Sequence, residues 1–100
     1  MTTNRFSLGQ TVMTPGVQNL VLAGVVNPVA LLDRHASGDW GDRDAEDKQT
    51  NDNGLQHGGR LMSVYTLGES FSLLEGTLGK VWVITEWDRS VTTLLLPDEY

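Results

Sequence analysis

A histidine and several carboxylates lie close together in the chain between residues 34 and 52, and these residue types could perform acid–base or metal chemistry. His35 and Asp39 are four residues apart. Further carboxylates follow within the next eight residues, and Asp42, Asp44 or Asp47 could complete a set of ligands. Imidazole and carboxylate groups together suit zinc, manganese or iron. With Glu86 from the C-terminal half, His35 and Asp39 could form the site of a small metal-dependent hydrolase.

A structural role for the same residues is favoured by their spacing. The potential ligands lie across a turn that is flanked by Gly38 and Gly41, and the other histidine, His57, is distant in sequence. No nucleophile elbow of the G-x-S-x-G type occurs, and residues 76–80, GTLGK, lack the spacer of a phosphate-binding loop. We therefore expect no catalytic residue, no metal and no cofactor.

The structural interpretation predicts a polar network between the two halves of the chain. His35 is expected to cap the carbonyls of a last helical turn as an imidazolium, Asp39 to accept from turn amides, and Trp40 to fill the core. Glu86 and Arg89 are expected to meet Arg34, His35 or Asp39. A network of this kind specifies one structure when all its polar groups are satisfied.

The negative charge of the chain is concentrated just after this turn. The chain has thirteen acidic and seven basic residues, for a net charge of −6. Between residues 39 and 52, six acids and two bases give 2 − 6 = −4. Such a field steers basic protein partners, including nucleic-acid-processing complexes, and disfavours direct binding to nucleic acid. The expected partner-binding residues are Asp42, Asp44, Glu46 and Asp47, with Phe71 and Leu74 from the segment at 68–79.

A nucleic-acid-binding accessory protein is a further alternative. It would use one face of the C-terminal sheet, with four residues as contacts: Arg60, Tyr65, Trp82 and Arg89. Basic and aromatic side chains together can contact phosphates and stack on bases, but the acidity of the chain argues against this function.

The pattern of apolar, proline and glycine residues predicts an α+β fold. Proline near the start and glycine after the end mark helices at 15–24 and 28–38, and Asn27 is a natural N-cap. A third, more polar helix is expected at 45–59, capped by Asp42 or Asp44. Alternating and β-branched runs predict strands at 60–67, 80–87 and 90–97. Two to three N-terminal helices should thus pack on a three- to four-stranded antiparallel sheet, with residues 6–14 as an added edge strand.

Size and composition are typical of one cytoplasmic domain spanning residues 1–100. There is no cysteine, which fits a reducing compartment. The longest apolar run, residues 20–26, is far shorter than a membrane span, so no membrane partner is expected. Because helices cover one face of the sheet, the other face needs cover. A homodimer through Trp82, Trp87 or the 68–79 segment would provide it.

Several motifs give the chain a resemblance to a known family. The pattern runs His35-x-x-Gly38-Asp39-Trp40-Gly41, then Glu46-Asp47, Asn51, Arg60 and Tyr65. It ends with Ile84-Thr85-Glu86, Asp88-Arg89-Ser90, Thr92-Thr93, Leu95-Leu96-Pro97 and Glu99-Tyr100. In these residues the chain resembles small plasmid-related proteins of bacteria and their mobile elements, some of which are labelled as a type I restriction subunit.

The resemblance implies a setting in plasmids, integrated elements and phage. It does not support the restriction label, because the chain holds no methyltransferase motif and has no room for one. Small acidic proteins of mobile elements often block host defence by binding. We therefore expect a non-enzymatic binding protein that inhibits or modulates a host defence complex, of the anti-CRISPR or anti-restriction type.

Overall fold

In the computed structural model, which describes residues 4–67 and 79–100, three helices lie between a first strand and three C-terminal strands of the same sheet. The helices are α1 (Pro15–Leu22), α2 (Pro28–Ala36) and α3 (Ala45–His57). The strands are β1 (Gln10–Met13), β2 (Leu61–Thr66), β3 (Lys80–Thr85) and β4 (Val91–Leu95), and a short 3-10 turn follows at Pro97–Glu99. The predicted α+β class is confirmed. None of the helices in the described ranges has the length and apolar character that crossing a membrane requires.

The helix ends follow the local sequence. The Asn27 side chain accepts hydrogen bonds from the N–H groups of Val29 and Ala30, which satisfies two amides that the first turn of α2 leaves free. Asp44 does the same for the N–H of Asp47 at the start of α3. At the C-terminal end of α3, Gly58 takes a left-handed conformation with φ 81°. Glycine adopts this conformation without steric cost.

The sheet is mixed, and in this respect it differs from the antiparallel sheet that we predicted. The strand order is β1-β4-β3-β2, with β3 antiparallel to both β2 and β4, and β1 parallel to β4. The C-terminal strands are connected in sequence as a meander. By contrast, the chain between β1 and β2 passes through all three helices. No hairpin therefore fixes the direction of β1, and it joins the sheet edge parallel to its neighbour.

The core lies between one face of the sheet and the first two helices. Alternate residues of β2, β3 and β4 point inward, so Leu61, Tyr65, Val81, Val83 and Leu94 are buried. On the helical side of the core, Val17 in α1 and Val26 in the connection to α2 are buried. Several half-buried residues pack around them: Leu20, Val21, Leu31 and Leu32.

The free edge of β2 is covered by other parts of the chain. The N–H of Val64 donates to the carbonyl of Trp40 (3.1 Å), and the carbonyl of Val64 accepts from the N–H of Asp42 (2.7 Å). The side-chain amide of Asn51 in α3 bonds both backbone groups of Met62, donating at 2.6 Å and accepting at 3.1 Å. Unpaired strand edges invite pairing with other chains, and these contacts prevent it at β2.

Gly41 is required for this close approach. A Cβ atom added to Gly41 would lie 2.0 Å from the carbonyl oxygen of Val64, and the φ angle of Gly41 is 75°. Gly24 has nearly the same φ, 76°, but nothing lies within 4 Å of an added Cβ. Substitution of Gly24 would therefore cause backbone strain alone, whereas substitution of Gly41 would cause the same strain and a steric clash as well.

We predict that Gly41→Ala destabilises the protein by several kcal/mol, on the order of 3 or more, because the strand edge must move. Gly24→Ala should cost only about 1 kcal/mol, which is the left-handed strain alone. Urea unfolding of both variants measures the difference. Equal losses in the two variants would show that the covered edge does not stabilise the fold.

Candidate functional site

His35 is buried at the joint between α2 and the sheet. Its Nδ1 lies 2.6 Å from the hydroxyl of Ser63 on β2, and its Nε2 lies 2.9 Å from the hydroxyl of Thr85 on β3. The Thr85 hydroxyl lies 2.7 Å from that of Thr92 on β4, which donates to the carbonyl of Leu8 at 2.7 Å. One chain of hydrogen bonds, which we call the hydroxyl chain, thus connects α2, three strands and the N-terminal arm.

The proton positions in the hydroxyl chain can be assigned from the end at the Leu8 carbonyl, which can only accept a hydrogen bond. The single proton of Thr92 goes to the Leu8 carbonyl, so the Thr92 oxygen must accept from Thr85. Thr85 has then used its own proton and must accept from Nε2–H of His35. Nδ1 is left as an acceptor for the proton of Ser63. The bonding pattern therefore places a proton on Nε2, and because full burial disfavours a second, charging proton on Nδ1, we assign a neutral Nε2–H imidazole.

The surroundings of His35 favour the neutral form. Burial, and to a smaller extent the positive charge of Arg89, lowers the pKa of His35 to about 4. Aromatic side chains close the site: Phe6 meets the imidazole edge-on at 5.2 Å, and Trp40 does so at 5.7 Å. The prediction that His35 caps helical carbonyls as an imidazolium was wrong. The buried hydroxyls of the sheet supply better partners than an exposed helix end.

Asp39 and Trp40 extend the joint to the surface, as predicted. Asp39 accepts from Arg34 at 2.8 Å and from the N–H of Gly41 at 3.1 Å. The hydrogen bond from Arg34 is the main cause that holds the pKa of Asp39 below its ordinary value. Trp40 is buried, and its indole N–H donates to Asp52 on α3 at 3.0 Å. The turn therefore joins α2, α3 and the sheet.

Arg89 enters the joint through backbone carbonyls. Its guanidinium donates to the carbonyls of Gly59 (2.6 Å) and Gly54 (3.1 Å) at the end of α3, and to that of Glu86 (3.1 Å). A cation at a helix C-terminus is favourable. The predicted bonds from Arg89 and Glu86 to Arg34, His35 or Asp39 are not found within the described part of the chain. Glu86 takes part through its backbone, while its side chain lines a shallow groove beside Tyr100.

The three residues of the hydrolase alternative do not form a common site. His35 has no exposed surface, and both of its ring nitrogens bond hydroxyls. Asp39 pairs with Arg34 at the surface, and Glu86 lines a different groove. Among residues 4–67 and 79–100, no group of three or more histidine, cysteine or acidic side chains could hold a metal ion.

Most of the predicted partner-binding acids also have local structural roles. The Asp42 carboxylate accepts from the N–H of Thr66 at 2.9 Å and from its hydroxyl, and these bonds lower its pKa. Asp44 caps α3, and Asp47 pairs with Arg43 at 3.2 Å. Glu46 is exposed on the first turn of α3. Phe71 and Leu74 lie outside the described residues.

The acids flank a groove on the outer face of the sheet, the face opposite the helices. The groove has a volume of about 550 Å³. Its floor is apolar and consists of Met62, Val64, Trp82 and Pro97, and its charged rim consists of Asp42, Arg43, Asp44, Asp47 and Lys80. Trp82 lies opposite Val64 across the β2–β3 pair and contacts the Tyr100 ring at 5.6 Å. We call this feature the outer groove.

The residues of the nucleic-acid alternative point in different directions. Tyr65 is buried on the inner face and donates to the carbonyl of Asp39 at 2.6 Å, whereas Trp82 lies on the outer face. The guanidinium of Arg89 bonds helix and turn carbonyls, and Arg60 lies over the Tyr100 ring at 5.3 Å. The four side chains therefore share no surface.

The sequence did not identify Ser63, Thr85 and Thr92 as functional partners of His35. Their positions carried a signal, since each falls on the inward-facing alternation of its strand among apolar neighbours such as Leu61 and Val83. A hydroxyl at such a position needs a buried partner. The floor residues Met62 and Val64 carried a weaker signal, an apolar face opposite the core.

Comparison of the chain with protein-family models, curated proteins and solved structures finds no match.

We predict that His35 makes the protein less stable in mild acid. Its pKa is about 4 in the folded state and 6.5 as the ordinary value, so the unfolded chain binds the extra proton first. The contribution is fully present above pH 6.5 and is lost as the pH falls toward 4, by up to about 3 kcal/mol. The lowered carboxylate pKa values contribute only below about pH 5, at the acid end of this window, because their ordinary values are 3.8 to 4.5.

Urea unfolding at several pH values between 7 and about 4 measures this loss. The matched control is His57→Gln, because His57 is exposed at the end of α3. As the pH falls, the His57→Gln control should lose as much stability as the wild type. His35→Gln should be less stable than the wild type at neutral pH and should lose little more stability as the pH falls. A wild-type protein of constant stability over this range would refute the prediction.

Proposed function

We propose that the protein is a non-enzymatic binding protein that holds a basic, amphipathic segment of a partner protein in the outer groove. The observation that carries this proposal is the apolar floor with Trp82 beside the acids of the rim. The long stems of lysine and arginine pack on apolar surface while their charged ends stay in water. A segment that alternates basic and apolar residues would match both parts of the groove.

The exposed acids Asp42 and Asp44 are the contacts for the basic residues of the partner. Asp47 is already paired with Arg43, and Lys80 on the same rim repels cations from its own end of the groove. A positive side chain is therefore best accommodated over Asp42, Asp44 and the adjoining Glu46. The flat ring of Trp82 can also receive a guanidinium by cation–π contact.

We place the partner in a host defence or other nucleic-acid-processing complex, and the protein in the cytoplasm. Proteins that bind nucleic acid present basic surfaces, so an acidic binder can compete for them. The resemblance to plasmid-related proteins supports the mobile-element setting. Several residues that carry the resemblance have structural roles in the fold, such as Gly41, Asn51 and Arg89. Because these residues do not point to a function, the proposed inhibitory function rests on the outer groove and the negative charge.

We predict that a synthetic peptide of alternating arginine and leucine binds the protein at low salt and that binding weakens as salt rises. The variant Asp42→Asn with Asp44→Ser should bind it about fivefold more weakly, from about 0.5 kcal/mol for each ion pair. Serine keeps the helix cap, and asparagine keeps an acceptor for Thr66. Titration calorimetry measures the affinities.

The matched control is Asp33→Asn with Asp98→Asn, which changes the net charge equally at two exposed acids outside the groove rim. Its affinity should stay within about twofold of the wild type. Equal losses in the two double variants would mean that overall charge, and not the groove, determines binding, and would overturn the proposal.

The biological test uses bacteria that carry an active defence system. Expression of the wild-type protein should raise the efficiency of plasmid transformation, and the control pair Asp33→Asn, Asp98→Asn should do the same. The groove pair Asp42→Asn, Asp44→Ser should raise it less. If none of the three proteins changes transformation in any tested system while the peptide still binds the groove, the inhibitory function is wrong and the binding site stands.

A further inference from the structure

Within residues 4–67 and 79–100, no segment pairs with the outer edge of β1, in contrast to the covered edge at β2. All four residues of β1 are exposed, including Val12 (37%) and Met13 (40%). No charged or proline residue lies within the strand to prevent pairing. Exposed edges of this kind accept an additional strand through their backbone groups.

The backbone groups that face outward belong to Thr11 and Met13. The N–H of Gln10 donates to the carbonyl of Ser90 (3.0 Å), and that of Thr14 donates to the carbonyl of Leu94 (3.0 Å). Because backbone groups alternate in direction along a strand, the even-numbered residues of β1 face β4. The N–H and C=O groups of the two odd-numbered residues therefore point away from the sheet.

We propose that this edge is a strand-addition site for a second copy of the chain. In an antiparallel pair with its two-fold axis at Val12, Thr11 of one copy faces Met13 of the other. Both residues present both backbone groups, so this register forms four N–H···O bonds and leaves no outward group of the strand unpaired. Val12, which lies opposite Thr93 on the outer face, meets Val12 of the second copy.

The distribution of charge permits association at this edge. Two chains of net charge −6 repel each other, but the acids of the outer groove lie beside β2, at the far end of the strand order β1-β4-β3-β2. Three strand spacings amount to about 14 Å, which exceeds the screening length of about 8 Å at physiological salt. The residues of β1 carry no charge, and the acid bonded next to the strand is Glu99, which accepts from Gly16 at 3.0 Å, so repulsion at this edge is smaller than beside the cluster of acids at the groove.

The pairing leaves the outer groove open, and it is independent of the proposed function. No residue of β1 lines that groove. A four-residue strand forms a small interface, so we expect a weak dimer with a Kd above about 1 μM.

Hydrogen exchange of the backbone amides tests the register without any variant. The amides of Thr11 and Met13 should be unprotected in dilute protein and become protected as the concentration rises to about 1 mM, well above the expected Kd. Gln10 should be protected at every concentration, because its N–H bonds Ser90. A protein that sediments as a monomer throughout this range would overturn the proposal.

Substitutions at β1 test whether the dimer uses this edge. Thr11→Pro removes one outward N–H and should abolish dimerisation, whereas Thr11→Ala keeps the N–H and should dimerise as the wild type does. Circular dichroism checks that the proline variant folds. Val12→Lys and Val12→Glu should each be monomeric because like charges meet at the two-fold axis, and an equimolar mixture should dimerise. Dimerisation of either charge variant alone would show that the interface lies elsewhere.

Discussion

The hydroxyl chain that starts at Ser63 and passes through His35, Thr85 and Thr92 to the Leu8 carbonyl is the constraint on which the rest of this fold depends. The four side chains of the hydroxyl chain are buried, and each bond uses a proton that no other member can supply. An unpaired polar group at such a buried position would cost on the order of 1–3 kcal/mol. The polypeptide therefore tolerates only the arrangement of strands, helix and N-terminal arm in which all of these groups are paired. The register of three strands, the position of α2 and the path of the N-terminal arm are thereby fixed together.

The same constraint accounts for where the acids are. With α2 held against the inner face, the turn after it reaches the free edge of β2, where Trp40 and Asp42 bond Val64 and Asp42 also bonds Thr66. Of the acids that follow, Asp44 caps the start of α3 and Asp47 pairs with Arg43 just before that helix. Their charge nevertheless faces the outer groove, because the covered edge of β2 lies at its rim. Structural use and partner binding are compatible, since a carboxylate that accepts one hydrogen bond still carries its charge.

Local signals predicted the parts of the fold that local chemistry determines. Asn27 marked the start of α2 correctly, and Asp44, one of the two caps predicted for α3, is the cap found, because caps act within one turn. The alternation of residues in β2 and β3 indicated strands correctly, because this two-residue period is also a local property of the sequence. The direction of β1 and the partners of His35 were beyond reach, because both depend on contacts between residues 28 to 84 positions apart. Arg89 was correctly placed in the joint, but its partners are carbonyls, which every residue carries and no pattern distinguishes.

The central claim is that His35 is a neutral Nε2–H imidazole enclosed by hydroxyl groups. Nuclear magnetic resonance of the ring nitrogens measures this directly, since protonated and unprotonated nitrogens differ strongly in chemical shift. The account predicts a protonated Nε2, an unprotonated Nδ1 and shifts that stay constant down to about pH 5, given a pKa of about 4. An imidazole that titrates near its ordinary pKa of 6.5, or that carries its proton on Nδ1, would contradict it.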